Sequence, residues 1–442
     1  MERRLPIGLS RDGEPVFANL DFLDGSRGAH VNISGISGVA TKTTYATFLL
    51  HSLFKSGALG AEAASTHALV FNVKGEDLLF LDQPNRRLRD EDRAAYARLG
   101  LRAEPFDSVQ LLAPVRPGGR ERLPATGSRQ EGVVSFFWTL RELVNDRLLR
   151  FLFAEAEDAS SQLGFVVDRI EGKLLAATRD SGKPTEPWIA VEGRRIDGFE
   201  ALVEALTERS ETTGRSLAEE WASPAAPGTV AAFERRLHAA AKHVGHLIRG
   251  QDVGRREEHR LDWRRRPLSV IDLHTLHDRA KRFVVGAVLK RMFEDKESLG
   301  TARPLVFVVL DELNKYAPRE GSGPIKEVLL DVAERGRSLG IILVGAQQTA
   351  SEVEGRIVAN AALRVVGRLD TAEAERPEYA FLTAAGRGRA GILKPGTMIV
   401  QQPEIPTPLL VRFPFPAWAT RKSEALPRAL SEEEVFRGFR DE

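Results

Sequence analysis

Short, nearly unbroken apolar runs that alternate with helical stretches constrain this chain more than any other feature. Six such runs occupy residues 30–34, 68–73, 269–273, 305–310, 341–346 and 363–368. Strands that are apolar along their whole length are strands covered on both faces, and the helical stretches between them supply the crossovers of a parallel sheet. The expected fold class is therefore α/β with a mainly parallel sheet. A last pair of runs, 397–401 and 408–413, flanks a Pro-rich turn and predicts a hairpin that closes the sheet.

Between residues 122 and 266 the texture changes. Residues 136–153 carry apolar side chains at helical spacing, residues 230–248 are Ala-rich with mixed charges, and the stretch 223–228 is a Pro- and Gly-bearing break. Because strands resume afterwards, the region reads as a helical insertion inside one α/β domain. The 442 residues thus divide into a short N-terminal segment (1–28), a first core part (29–121), the insertion (122–266), a second core part (267–416) and a charged tail (417–442) expected to be peripheral. The 63 basic and 62 acidic residues nearly cancel, so any contact with nucleic acid has to come from a local basic face. The stretch 255–266, with six arginines against three acids, is one candidate, although such runs are usually solvated faces. The absence of cysteine excludes disulfides and thiolate chemistry and fits a reducing compartment. The longest apolar runs are about a third of a membrane span, and the first residues lack the apolar core of a signal peptide, so a soluble, cytoplasmic protein without a membrane partner is expected.

Three motifs carry chemistry. The first is Asn32-Ile-Ser-Gly-Ile-Ser-Gly-Val-Ala-Thr-Lys-Thr-Thr44, placed after an apolar strand and before a helical run. A Gly-bearing loop between strand and helix turns its amides and the helix N-terminus toward an anion. On this reading Gly35, Gly38, Val39, Ala40, Thr41, Lys42, Thr43 and Thr44 cradle phosphates, Lys42 reaches the outer ones and Thr43 ligates Mg2+. The usual pattern has a Gly directly before the Lys. Here Thr41 precedes Lys42, with Gly35 and Gly38 standing seven and four residues upstream.

The second is Pro304-Leu-Val-Phe-Val-Val-Leu-Asp-Glu-Leu-Asn-Lys-Tyr-Ala-Pro318, a buried strand ending in two carboxylates at the sheet's C-terminal edge, where ligands collect. Asp311 is expected to hold the Mg2+ shell and Glu312 to orient and deprotonate the attacking water. The third is Ala333-Glu-Arg-Gly-Arg-Ser-Leu-Gly340, followed by a strand and Gln347. Pro324 and Gly336 are read as bracketing a helix, with Arg335 and Arg337 just past its end at the mouth of the sheet. From there an arginine would reach a neighbour's nucleotide, and Gln347 would touch the γ-phosphate or its water.

The order of these motifs, with Asn72-Val-Lys-Gly-Glu-Asp77 after the second strand, resembles the HerA branch of the HerA/FtsK P-loop ATPases over about residues 6–416. The resemblance implies a RecA-like P-loop NTPase core, with the family's N-terminal β-barrel absent or reduced to about residues 4–23. It implies ATP and Mg2+ as cofactors, a homo-oligomer, expected to be a hexamer, hydrolysis at subunit interfaces, and translocation of double-stranded DNA. It also implies an effector protein such as a nuclease, in DNA-end processing or phage defence. By position Lys42 and Thr43 match the Walker A pair, Asp311 and Glu312 the Walker B pair, and Gln347 the sensor. Arg337 is the first candidate for the arginine finger, with Arg335 and Arg368 behind it, and Glu76 matches an acidic position. A ring that binds nucleotide to scaffold an effector enzyme, with little or no turnover, is the competing reading.

Overall fold

The computed structural model describes residues 3–36, 42–118, 121–153, 162–179 and 182–425. In chain order the strands are β1 (Arg4–Leu9), β2 (Pro15–Asn19), β3 (Val31–Ser34), β4 (His67–Asn72), β5 (Val109–Pro114), β6 (Val133–Phe136), β7 (Trp138–Thr139), β8 (Ile189–Val191), β9 (Arg194–Ile196), β10 (Ile248–Arg249), β11 (Leu268–Asp272), β12 (Val306–Asp311), β13 (Ile341–Gln347), β14 (Leu363–Val366), β15 (Thr397–Gln402) and β16 (Ile405–Arg412). Twelve of them form one sheet in the order β2-β1-β16-β15-β14-β3-β13-β12-β4-β11-β5-β6. From β14 to β6 every pairing is parallel, and from β14 outward to β2 every pairing is antiparallel.

The strands alternate their side chains between two apolar layers. Along β12, Val306, Val308 and Leu310 enter one layer, while Phe307 and Val309 enter the other. That two-sided burial is what a continuous apolar run signals, and all six expected strands are present, as is the closing hairpin β15–β16. One layer is covered by the helices Asp278–Leu299 and Pro324–Leu339 together with helices of the insertion, Gln162–Arg179, Phe199–Thr207 and Pro227–Val244. The other is covered by the helix Lys42–Lys55, whose Tyr45 hydroxyl donates to the carbonyl of Ile7 at 2.9 Å.

Several expectations are corrected. Residues 136–153 are not one helix: β6 ends at Phe136, β7 follows, and only Leu140–Asn145 is α-helical before a 3-10 turn at Leu149–Phe153. Within the segment read as insertion, β6 pairs with β5, so the central sheet reaches beyond residue 122. The segment 4–23 supplies β1 and β2, which prolong the sheet beside β16. The tail is not peripheral at its start. Trp418 is buried beside His51 and Phe106, with ring centroids 5.2 Å away in each case, because a large indole gains more from the apolar layer than a charged flank can hold in water.

Candidate nucleotide-binding site

The parallel strands β3, β13, β12 and β4 end side by side, and their C-terminal edge carries a cleft of about 340 Å3. Lys42, Thr43, Asn72, Lys74, Asp311, Thr420 and Arg421 are among the residues that line it. The strand that precedes the phosphate loop is separated from the Asp311 strand by one intervening strand, β13.

Lys42 and Thr43 open the helix Lys42–Lys55, and the Thr43 hydroxyl donates to Asp311 Oδ2 at 3.0 Å. This one bond joins the two motifs that sequence spacing had set far apart. Lys42 is 5 % exposed, and burial brings its ammonium down to about 8, with Asp311 pulling the other way. Gly35 approaches the backbone of the neighbouring loop closely: a Cβ there would stand 3.2 Å from the Arg368 carbonyl and 3.3 Å from Gly367 Cα. Ile36 N–H donates to that same Arg368 carbonyl at 2.7 Å, so the start of the loop is tied to the end of β14. Gly38, Val39, Ala40 and Thr41 lie outside the described residues.

Asp311 ends β12, and the next residue turns sharply. Glu312 has φ 57° and ψ 42°, left-handed values that cost an L-residue about 1 kcal/mol or more. Such strain persists where the surroundings over-determine it. Here the Glu312 N–H donates to Asp311 Oδ1 at 2.8 Å, Lys74 Nζ meets Glu312 Oε1 at 2.9 Å, and Lys315 Nζ meets Glu312 Oε2 at 2.8 Å. Burial pushes the Glu312 carboxyl up, but the hydrogen bonds from Lys315 and Lys74 more than reverse it, leaving it below the ordinary carboxylate value.

The structure does not bring every expected residue to the cleft. Gln347 ends β13 fully buried, and its amide donates to Asn32 Oδ1 and Ser34 Oγ, both at 3.0 Å. It therefore braces β3, the strand leading into the phosphate loop, and is not among the cleft-lining residues. The helix read as ending at Gly336 runs on to Leu339 and is closed by Gly340 in the left-handed conformation. Gly336 sits inside it, where a Cβ would stand 2.8 Å from the Ile341 carbonyl.

Arg337 is consequently not at the mouth of the sheet. It lies one turn before β13 begins, and Ile341 pairs with Val306, the start of β12. Asp311 stands at the other end of that strand, roughly 17–20 Å away at ~3.3 Å per residue. The Arg337 guanidinium donates to the carbonyls of Gly25 (3.1 Å) and Ser26 (2.8 Å). Arg335 pairs with Glu297, whereas Arg368 follows β14 on the edge that carries the cleft. The arginine-rich stretch is partly spent on ion pairs: Arg256 meets Glu142 at 2.6 Å and Arg264 meets Asp295 at 3.8 Å.

Sequence reasoning missed Lys74, Lys315, Thr420 and Arg421. The first two stand inside quoted motifs, and the signal for the others was a lone Trp418 beside them in a charged segment.

No protein-family model matches the chain, and no curated protein matches it in sequence. Solved structures do match in fold. VirB4 of Thermoanaerobacter pseudethanolicus aligns over 92% of this chain and 96% of its own, with 15% identity and a TM-score of 0.56. The bacterial conjugative coupling protein TrwB, in an unbound form, aligns over 96% of this chain and 92% of its own, with 12% identity and a TM-score of 0.57. The plasmid coupling protein TrwB in complex with ADP and Mg2+ aligns over 90% of this chain and 88% of its own, with 12% identity and a TM-score of 0.52. The fold is that of a RecA-like P-loop NTPase, a mainly parallel sheet with helices on both faces. Among the described residues no helix is long and apolar enough to cross a membrane.

Proposed function

We propose that this chain is an ATP hydrolase of the FtsK/HerA type, a motor that moves double-stranded DNA as a homo-oligomeric ring. The observation that carries the reading is the bond from Thr43 to Asp311, with Lys42 lining the same cleft and Glu312 beside Asp311, paired to the cleft's Lys74. A hydroxyl and a carboxylate that share one point offer the all-oxygen donor set that Mg2+ takes, and Mg2+ keeps its remaining positions for water and phosphate oxygens. ATP and Mg2+ therefore fit the residues present, and the ADP and Mg2+ held by TrwB support the same pairing.

Thr43 and Asp311 would hold the metal, which supplies charge neutralisation between the phosphates when bound. Lys42 contributes a point charge to the outer phosphates. Glu312, kept ionised by its two lysines, is the base that orients the attacking water and takes its proton. Gln347 acts through β3, to which its amide is bonded, rather than by direct contact from its present position. The ring, the duplex substrate and an effector enzyme such as a nuclease rest on the motif order, and the likeness to a plasmid coupling protein supports the DNA part.

Phosphate release measured with Mg2+, with and without duplex DNA, tests the reading. Hydrolysis stimulated by DNA is the expected result, and tight nucleotide binding without turnover would turn the assignment toward a scaffolding ring. Lys42→Ala is expected to weaken ATP binding by at least ~10-fold, about 1.4 kcal/mol, in calorimetry. An unchanged affinity would remove the phosphate grip from Lys42.

A further inference from the structure

The motif Asn72-Val-Lys-Gly-Glu-Asp77 enters the account above only as cleft lining and through the Lys74–Glu312 pair, yet it is built more firmly than a surface turn. Asn72 Nδ2 donates to Asp272 Oδ1 at 2.8 Å and to the Gly75 carbonyl at 2.9 Å, folding the chain back on itself. Gly75 takes φ +58°, a value that favours glycine. Asp272 is fully buried at the end of β11, and its second oxygen accepts from His274 Nδ1 at 2.8 Å. Lys281 Nζ donates to the Val73 carbonyl at 3.2 Å. The Glu76 carboxylate accepts the N–H groups of Gly127 and Ser128, the latter at 2.7 Å. Every one of these bonds fixes the loop, and none involves the side chain of Lys74. That side chain projects into the cleft, where its ammonium stands 2.9 Å from Glu312 Oε1 and 3.7 Å from Asp311 Oδ2.

We propose that this loop is a sensor for the third phosphate, with Lys74 as the residue that distinguishes a nucleoside triphosphate from a diphosphate. The inference rests on the reading of the cleft as an ATP site. Without nucleotide, two adjacent carboxylates need a counter-charge, and Lys74 supplies it. Were Thr43 and Asp311 to hold Mg2+, Asp311 would no longer need Lys74 as a counter-charge, and the ammonium would be free to turn elsewhere. Lys42 is committed to the phosphates at the start of its helix. The outermost phosphate is then the nearest uncompensated anion within reach of an arm whose base cannot move. A diphosphate offers no such group. Transfer of Lys74 also releases one of the two ion pairs on Glu312, which frees Oε1 to accept a hydrogen bond from water while Lys315 still holds Oε2.

The test is calorimetric titration of the full chain, in Mg2+, with ADP and separately with the β,γ-imido analogue of ATP. The unaltered protein is expected to prefer the analogue. Lys74→Met, which keeps the length and removes the charge, is expected to lose at least ~10-fold in affinity for the analogue and less than ~2-fold for ADP. Lys74→Arg, which keeps the charge, is expected to retain the preference. Equal losses for both nucleotides, or no loss for either, would overturn the proposal. An unaltered protein that binds neither nucleotide would instead overturn the ATP-site reading beneath it. Should Lys74→Met fail to melt cooperatively, Lys74→Gln carries the same expectation and the same refutation.

Discussion

At the scale of single residues, the cleft is a problem of charge placed where water is scarce. Lys42 is nearly inaccessible and Asp311 is 6 % exposed; the Asp311 charge supports the Lys42 ammonium, while Thr43, the Glu312 N–H and Lys74 also serve Asp311. Glu312 sits in a left-handed conformation that a glycine would adopt freely, and its side chain is gripped by Lys74 and Lys315. A strained residue with two cationic partners at the sheet edge that carries the cleft fits the base role proposed for it. Glu312→Gln keeps the size and removes the base. It is expected to leave ATP bound while turnover falls by roughly 10²–10⁴, which single-turnover kinetics beside a binding titration would separate. Hydrolysis at the parent rate would take the base role away from Glu312.

At the scale of elements, β3 matters most because the segment proposed to cradle phosphates follows it in sequence, and a buried histidine just before it ties it to its neighbours. His30 Nδ1 accepts the N–H of Leu343 in β13 at 3.0 Å, and Nε2 donates to the Ala333 carbonyl in the helix Pro324–Leu339 at 3.2 Å. Burial lowers this imidazole to about 4, and burial likewise lowers His51, packed under Trp418, to about 4. Both are neutral in the folded chain, whereas the unfolded chain takes up protons below about 6.5. Stability from each is therefore full above pH 6.5 and is lost as pH falls toward 4, on the order of 3 kcal/mol apiece. The melting midpoint is expected to drop over that window, with a shallower drop in His51→Gln than in the parent. An unchanged slope would mean that His51 takes up its proton over the same pH range folded and unfolded. The same elements show what a sequence can and cannot display. Parallel strands such as β12 and β13 were legible because burial on both faces writes an unbroken apolar run. β1, β2, β5 and β6 lie at or near the sheet's edges and contain or adjoin Pro, Gly and charge, so no such run forms. That Lys42 and Thr43 open a helix and that Asp311 ends a buried strand was legible from local spacing. Lys74 against Glu312, and Thr420 in the cleft that Thr43 also lines, were not, because only the strand order and the buried Trp418 bring those stretches together.

At the scale of the whole molecule, the position of Arg337 decides which kind of assembly it can serve. It sits at the sheet edge opposite its own cleft, so it cannot reach the nucleotide of its own subunit. In a head-to-tail ring each subunit presents one face to the next subunit's opposite face, and a residue remote from its own site is then the one able to complete a neighbour's. Arg337 is exposed and spends its guanidinium on two loop carbonyls, bonds whose release costs about 1 kcal/mol each and is within reach of a charged ligand's pull. An arginine supplied in trans neutralises charge that develops in the transition state, so Arg337→Ala is expected to keep ATP affinity and to lose about 10³ or more in turnover. Loss of the two carbonyl contacts would by itself lower the melting temperature without that selective loss of turnover, and the two effects are measured separately. The decisive experiment mixes Arg337→Ala with Glu312→Gln. Each is inactive alone, but a mixed ring sets an intact Glu312 against a neighbour's intact Arg337, and part of the activity is expected to return. If labelled subunits exchange and no activity returns, Arg337 is not the shared residue. Arg368, at the cleft edge beside Gly35, is then the arginine to mix next, and because it adjoins its own cleft its loss should not be rescued by a partner.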